Sequence, residues 1–140
     1  WVATIDAFQH WIYTHPDHDH EARDREWLAI MDRFATGVDW SGVEDVRRKR
    51  WVRQSHLFGV PFYYVEYAIA QLGALQVWRN YREDPRHAVE AYRHALSLGN
   101  TRPLRELFQA AEIRFDFSEQ NLEQLLLMVD EEIERLKTQS

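Results

Sequence analysis

The sequence lacks cysteine altogether, and its 140 residues include only five glycines and four prolines. Without cysteine the protein can form no disulfide, no thiolate zinc site and no cysteine nucleophile. Its apolar runs are a few residues long, far short of the ~20 residues that span a bilayer. Basic residues are also few, since 17 Lys and Arg stand against 23 Asp and Glu and give a net charge of −6. Because nucleic-acid binding usually requires a basic face, we expect neither a nucleic-acid partner nor a membrane partner.

Apolar and aromatic residues, by contrast, are plentiful. Hydrophobic residues make up 45% of the chain and charged residues 29%, a composition typical of a globular protein rather than a disordered one. Six Trp, six Tyr and seven Phe bring the aromatic share to 14%, which suits either a bulky core or a groove lined by rings. The length is enough to bury such a core and suits one domain or two small ones. Of these we expect a single domain over residues 1–140.

Both ends of the sequence have the pattern of helices. Residues 1–8 show the apolar spacing of a helix interior, with no Met, basic n-region or signal-peptide core before them. Residues 130–137 have the mixed charged and apolar pattern of a helix that ends in water. We therefore expect the chain to be the C-terminal piece of a longer protein.

Start and stop signals for helices recur along the whole chain. Proline at position 16 cannot continue a helix, and Asp84 before Pro85 is an N-cap followed by proline at the first helical position. Valine and isoleucine are too scattered, and turn dipeptides too few, for a sheet. The class is therefore all-α, with about six to seven helices. The first predicted helix ends before His15. The others run from Asp19 to Gly37, from Ser41 past Val52, from Phe62 to about Tyr81, from Asp84 to Leu98, from Thr101 to about Ala111 and from Ser118 onward.

Three of these segments carry more specific predictions. Ser41-Gly42-Val43-Glu44 has the capping-box pattern, in which serine accepts from the third amide and glutamate reaches back. The stretch from 62 to 81 is apolar nearly all round, so we expect it to form the most buried helix. Residues 88–96 resemble the second helix of a tetratricopeptide repeat, but such repeats recur at about 34 residues and no second copy follows.

Three groups of histidines and acidic residues could suggest a metal site, and each has a simpler explanation. The histidines and aspartates at 15–20 surround a proline, which favours a solvated loop with helix-capping aspartates. The phrase at 20–24 begins like the helical zinc motif H-E-x-x-H but has aspartate in place of the second histidine. His87, Glu90 and His94 share one helix face, yet nothing else converges on them. We therefore predict no metal ligand in the chain.

The residues from 56 to 67 form the most distinctive segment. They place a glycine-proline loop directly before a helix whose first turns carry three tyrosines. Tyr64 and Tyr67 at i, i+3, and Tyr63 and Tyr67 at i, i+4, face neighbouring directions on a helix. Phenols are neutral donors, so they can hydrogen-bond a developing oxyanion without first losing a proton. The residues alone also allow, and slightly favour, an aromatic core whose hydroxyls bond backbone carbonyls.

The same segment carries a family resemblance. Pro61-Phe62-Tyr63-Tyr64-Val65-Glu66-Tyr67-Ala68, with His56 just upstream, resembles the C-terminal region of M3-family zinc metallopeptidases of the oligoendopeptidase F group. Phrases at 8–13, 71–75, 92–99 and 112–117 agree with the same family. The resemblance covers nearly the whole chain and is most specific in the tyrosine segment.

This resemblance implies the C-terminal part of a larger all-α, thermolysin-like zincin that hydrolyses short peptides in a deep channel. By their positions in the motif, His56, Tyr64 and Tyr67 resemble the catalytic histidine and tyrosines that close over the substrate and stabilise the oxyanion. If the register differs by one residue, Tyr63 takes the place of Tyr64. The residues implied to contact the substrate are Tyr63, Gly59 and Phe62.

The sequence departs from the family in one respect, because it contains no H-E-x-x-H. In the family that motif lies upstream and holds the zinc, so the resemblance assigns the zinc, and a missing H-E-x-x-H partner segment, to a longer parent protein of the bacterial cytoplasm. The chain alone should be inactive and zinc-free, and its uncovered apolar surface should favour self-association. The alternative function is a free-standing helical module, similar to tetratricopeptide proteins, that binds a peptide or partner helix in an aromatic groove.

Overall fold

The computed structural model describes residues 1–139, and within that range its regular elements are all helices, with no strand. This confirms the predicted all-α class. The eight α-helices are numbered in chain order, and a short 3-10 helix lies between the third and the fourth. Their bounds are α1 Val2–Thr14, α2 His20–Arg33, α3 Glu44–Arg48, the 3-10 helix Arg50–Arg53, α4 His56–Gly59, α5 Val65–Glu83, α6 Pro85–Ser97, α7 Leu104–Ala110 and α8 Glu119–Lys137.

Side-chain caps begin three of the longer helices, as the sequence predicts. Asp19 accepts a hydrogen bond of 2.7 Å from the Ala22 amide at the start of α2. Asp84 and Ser118 cap α6 and α8 in the same way, at 3.1 Å and 3.3 Å. Each cap satisfies one of the amides that the first helical turn leaves without a partner.

The predicted capping box at Ser41 is wrong. The Ser41 hydroxyl and amide both donate to the Asp39 carboxylate, at 2.6 Å and 2.9 Å, so this side chain is unavailable to a helix. Gly42 has φ +81°, a left-handed conformation that helical backbone excludes, and its amide donates to the Glu44 carboxylate at 2.9 Å. The helix therefore begins only at Glu44, and it ends at Arg48 instead of continuing past Val52.

The chain folds as two compact units, Trp1–Ala68 and Ile69 onward. The core of the first unit is largely aromatic. Phe8 and Trp27 are fully buried, with ring centroids 5.1 Å apart in an edge-to-face arrangement. Trp51 packs 5.7 Å from Phe8 and donates its indole N–H to the buried Asp24 carboxylate at 3.1 Å.

Asp24 is a buried carboxylate that remains charged. Desolvation on burial raises its pKa, but hydrogen bonds from Lys49 and Trp51, and the charge of Lys49, outweigh this and lower the pKa overall. The Asp24–Lys49 ion pair links α2 to the 44–53 segment, which leads directly into α4.

The second unit contains most of α5 together with α6, α7 and α8. Leu125 of α8 is fully buried, and Gln76 of α5 is 1% exposed. The Gln76 side chain pairs with the Arg114 backbone, donating to its carbonyl and accepting from its amide at 2.9 Å each. A side-chain amide thus satisfies an irregular backbone segment that has no helical partner.

The expectation that the 62–81 stretch forms the most buried helix is wrong. Only Gly73 and Gln76 of α5 are buried, whereas α1 buries four residues. Val65 and Tyr67 remain 38% and 46% exposed. Hydropathy counts apolar side chains but does not show whether another element covers each face, and within the described residues part of α5 stays uncovered.

Over the same residues, no helix is both long enough and apolar enough to cross a membrane.

Candidate functional site

His56, Tyr63, Tyr64 and Tyr67 come together in the first unit, and we call them the His/Tyr cluster. His56 opens α4, a single turn that ends at Gly59. Tyr67 lies in the first turn of α5, which begins at Val65. Tyr63 and Tyr64 therefore lie in the loop before α5 and not within its first turns, where the sequence pattern places them. The cluster thus combines one helical turn, a loop and a helix start.

The cluster is joined by one hydrogen bond and several ring contacts. The His56 Nε2 atom lies 3.2 Å from the Tyr67 hydroxyl. The Tyr64 ring contacts both of these side chains, with centroids 4.9 Å from His56 and 5.0 Å from Tyr67. Tyr63 stacks on His56 at 6.2 Å and meets Tyr67 edge-on at 5.7 Å. The spacing of the tyrosines thus does bring them to one place.

The cluster is accessible at its surface and anchored at its base. Tyr63 and Tyr67 are each 46% exposed, so they do not form a sealed aromatic core. Tyr64 is half-buried and packs against the core of the first unit. Its hydroxyl accepts a hydrogen bond of 3.1 Å from the Trp1 indole, which leaves the hydroxyl proton free for another acceptor.

A strained loop leads into the cluster. Phe62 has φ +59°, a left-handed conformation that is uncommon for a bulky residue. Its amide donates to the Gln9 side-chain oxygen at 2.9 Å, and Gln9 is only 1% exposed. The Phe62 ring lies against His10 and Tyr13 of α1, with centroids 5.0 Å and 5.1 Å away. Helix α1 therefore fixes the path of the loop, although nothing in the sequence around Gln9 indicates it.

Gln54 and Gly59 complete the surroundings of the cluster. The sequence pattern does not point to Gln54, yet its side-chain nitrogen lies 2.8 Å from His56 Nδ1. A lone glutamine between the 3-10 helix and α4 has no motif that would identify it. Gly59, predicted to contact substrate, is exposed, and a Cβ added to it would meet no atom within 4 Å.

Two histidines outside this cluster have partners of their own. Nδ1 of His15 bonds the Trp11 carbonyl at 3.0 Å, and the two rings stack at 5.0 Å. His87 pairs with Glu112 at 2.8 Å, a partner 25 residues away that its own helix does not suggest. Among residues 1–139, no three His, Asp or Glu side chains are grouped so that they could hold a metal ion.

Comparison with known proteins identifies the family of the chain. The sequence model of Peptidase family M3 matches residues 1–127. The chain belongs to this family. It is also similar to a protein assigned as an oligoendopeptidase F, whose X-ray structure was solved at 3.1 Å, with a TM-score of 0.85 and 29% sequence identity. That match covers 94% of this chain and 23% of the other, so the chain spans about a quarter of its length. No curated protein matches the chain significantly.

Proposed function

We propose that the chain is the C-terminal part of the catalytic domain of a zinc-dependent oligoendopeptidase, in which the His/Tyr cluster binds a short peptide and stabilises the oxyanion. Family membership supports a peptidase. The observation that carries the role of the cluster is the exposed Tyr67 phenol bonded to His56 at 3.2 Å, with Tyr64 beside it. Solvent-facing phenols held in fixed positions are suited to bind a polar substrate group.

The chemistry of this role follows from the charge that develops during hydrolysis. Addition of water to the scissile carbonyl carbon moves negative charge onto the carbonyl oxygen. A phenol donates a hydrogen bond to that oxygen while it keeps its own proton. Tyr67 and Tyr64 each offer a phenol hydroxyl for this bond, and His56 lies 3.2 Å from the Tyr67 hydroxyl. The Tyr63 and Phe62 rings, both more than a third exposed, flank the loop where the peptide would lie.

The proposed peptidase uses zinc, but residues 1–139 bring together no set of side chains that could hold the ion. The role of the His/Tyr cluster is therefore argued from its own hydrogen bonds. We propose that the zinc-binding part of the peptidase lies outside this chain, and we expect the chain alone to be inactive and zinc-free. A location in the bacterial cytoplasm, and self-association of the isolated chain, remain predictions.

The alternative of a helical interaction module has one supporting feature, an apolar groove of about 600 Å³ in the second unit. The tetratricopeptide-like residues of α6 contribute Tyr92 and Leu96 to it. Membership of a peptidase family favours the first proposal.

The test is Tyr67→Phe in the full-length peptidase, assayed with a quenched fluorescent peptide. The substitution removes one oxyanion donor and keeps the ring, so kcat should fall by roughly 10²-fold while KM barely changes. Tyr92→Phe is the matched control, because Tyr92 is similarly exposed in α6 at 45%. An unchanged kcat in Tyr67→Phe would reduce this residue to a packing role and remove the support for the proposal.

A further inference from the structure

We propose that Gln54 is a positioning residue that selects the tautomer of His56 and thereby keeps the Tyr67 hydroxyl proton free for the substrate. The inference rests on the proposed function, because it concerns how the oxyanion donor of that function is prepared. Gln54 lies outside the sequence motif that contains His56 and the tyrosines.

Three polar groups form a short chain at this point. The Gln54 side-chain nitrogen lies 2.8 Å from His56 Nδ1, and His56 Nε2 lies 3.2 Å from the Tyr67 oxygen. An amide nitrogen donates through its hydrogens and does not accept, because its lone pair is delocalised into the carbonyl group. With the amide placed in this orientation, Nδ1 must therefore accept, and the neutral ring must hold its hydrogen on Nε2.

The tautomer decides what Tyr67 can do. A hydrogen on Nε2 is donated to the Tyr67 oxygen, so the phenol hydrogen is directed elsewhere and is available to a substrate oxyanion. In the opposite tautomer Nε2 becomes the acceptor, and the phenol hydrogen is bound to the imidazole. Tyr67 would then have to break that bond before it could donate to the substrate.

The surroundings hold both Gln54 and His56 in place. The backbone N–H of Gln54 donates to the Trp51 carbonyl at 3.0 Å, and the backbone carbonyl of Gln54 accepts from the Leu57 N–H at 3.1 Å. These two bonds fix the Gln54 backbone between the 3-10 helix and α4. The His56 ring is stacked against Tyr63 and met edge-on by Tyr64. Rotation of the imidazole is thus restricted, and the choice between its two nitrogens falls to their hydrogen-bond partners.

The first experiment is Gln54→Met in the full-length peptidase, with hydrolysis of a quenched fluorescent peptide as the assay. Methionine has a similar length and no donor, so the imidazole becomes free to adopt the unfavourable tautomer. We expect kcat to fall by about 5- to 10-fold, the effect of one ordinary hydrogen bond, with KM unchanged. Gln109→Met, at an exposed position of α7, is the control and should leave both constants unchanged.

A double-mutant cycle separates this role from a general effect on structure. If Gln54 acts through Tyr67, then Gln54→Met should lower kcat little further in a Tyr67→Phe background, because the hydroxyl proton that Gln54 keeps free is already absent there. An equal loss of kcat in both backgrounds, or no loss in either, would overturn the proposal. If Tyr67→Phe itself has normal kcat, the proposed function fails first, which distinguishes the two failures.

A direct measurement does not depend on any variant at Gln54. Histidine labelled with ¹⁵N in the unmodified peptidase reports which ring nitrogen holds the hydrogen, and the His56 signal is identified by its loss in His56→Asn. The inference requires Nδ1 to resonate as an unprotonated acceptor and Nε2 as a protonated nitrogen. The reverse assignment would contradict it.

Discussion

At the level of single residues, the candidate site depends on two glutamines whose contacts no local sequence pattern indicates. His56 and the tyrosines are recognisable from their spacing and their resemblance to a family. Gln9 is different, because its partner Phe62 lies 53 residues away, and no local pattern relates the two. Gln54 is only two residues from His56, but an isolated polar residue in a polar segment is usually solvated. Such contacts follow from the fold and are invisible before it is known.

Gln9 offers a prediction about stability at this scale. Gln9→Leu keeps the buried volume but leaves the Phe62 amide without its acceptor. Because it also removes the Gln9 side-chain nitrogen, which is buried without a partner, part of this loss is offset, and the free energy of unfolding should fall by about 1 kcal/mol. Urea denaturation of the protein measures the change. Gln71→Leu, at an exposed position of α5, should shift stability by no more than about 0.5 kcal/mol. Equal stability of the two variants would mean that Gln9 does not hold the loop.

At the level of elements, helix boundaries were predicted well where a short polar side chain caps the helix. Asp84 and Ser118 occupy the predicted N-cap positions, because capping is a local interaction that sequence determines. The capping box at Ser41 failed because Asp39, two residues earlier, competes for the same hydroxyl. Burial of α5 was also predicted wrongly, since burial depends on neighbours that the helix's own residues do not specify.

The contact between α6 and the segment after α7 gives a prediction about pH. The hydrogen bond and the negative charge of Glu112 raise the pKa of His87 above its ordinary value of 6.5. Because the folded pKa is the higher one, this contact stabilises the fold fully below pH 6.5 and loses its effect as pH rises through the raised pKa. The urea midpoint should therefore decline slightly from about pH 6 to about pH 8.

The variant Glu112→Gln isolates this contribution. It keeps the size of the side chain at a position with φ +57°, where the backbone strain stays the same, but removes the charge. In Glu112→Gln the decline of the urea midpoint with pH should be largely lost. Glu90→Gln on α6 should preserve most of that decline, since Glu90 contributes least to the shift in the pKa of His87. If the midpoint of Glu112→Gln declines as much as that of the unmodified protein, the pH dependence comes from other groups.

At the level of the whole molecule, the all-α class and the family were both predictable, but for different reasons. Helix signals along the chain indicate the class without any comparison. The family followed from the tyrosine segment and the phrases that agree with it, and the match over residues 1–127 confirms it. The chain spans 23% of the similar solved structure. The roles of His56, Tyr63, Tyr64, Tyr67, Gly59 and Phe62 in a complete peptidase remain predictions.

A transition-state mimic tests whether Tyr67 stabilises the oxyanion. A phosphinic peptide has a tetrahedral, negatively charged centre in place of the scissile carbonyl. Its inhibition constant should rise in Tyr67→Phe by roughly the factor by which kcat falls, about 10²-fold, while the affinity for an uncleaved substrate analogue stays the same. If kcat falls but the inhibition constant of the phosphinic peptide does not change, Tyr67 does not contact the oxyanion, and its proposed role is wrong.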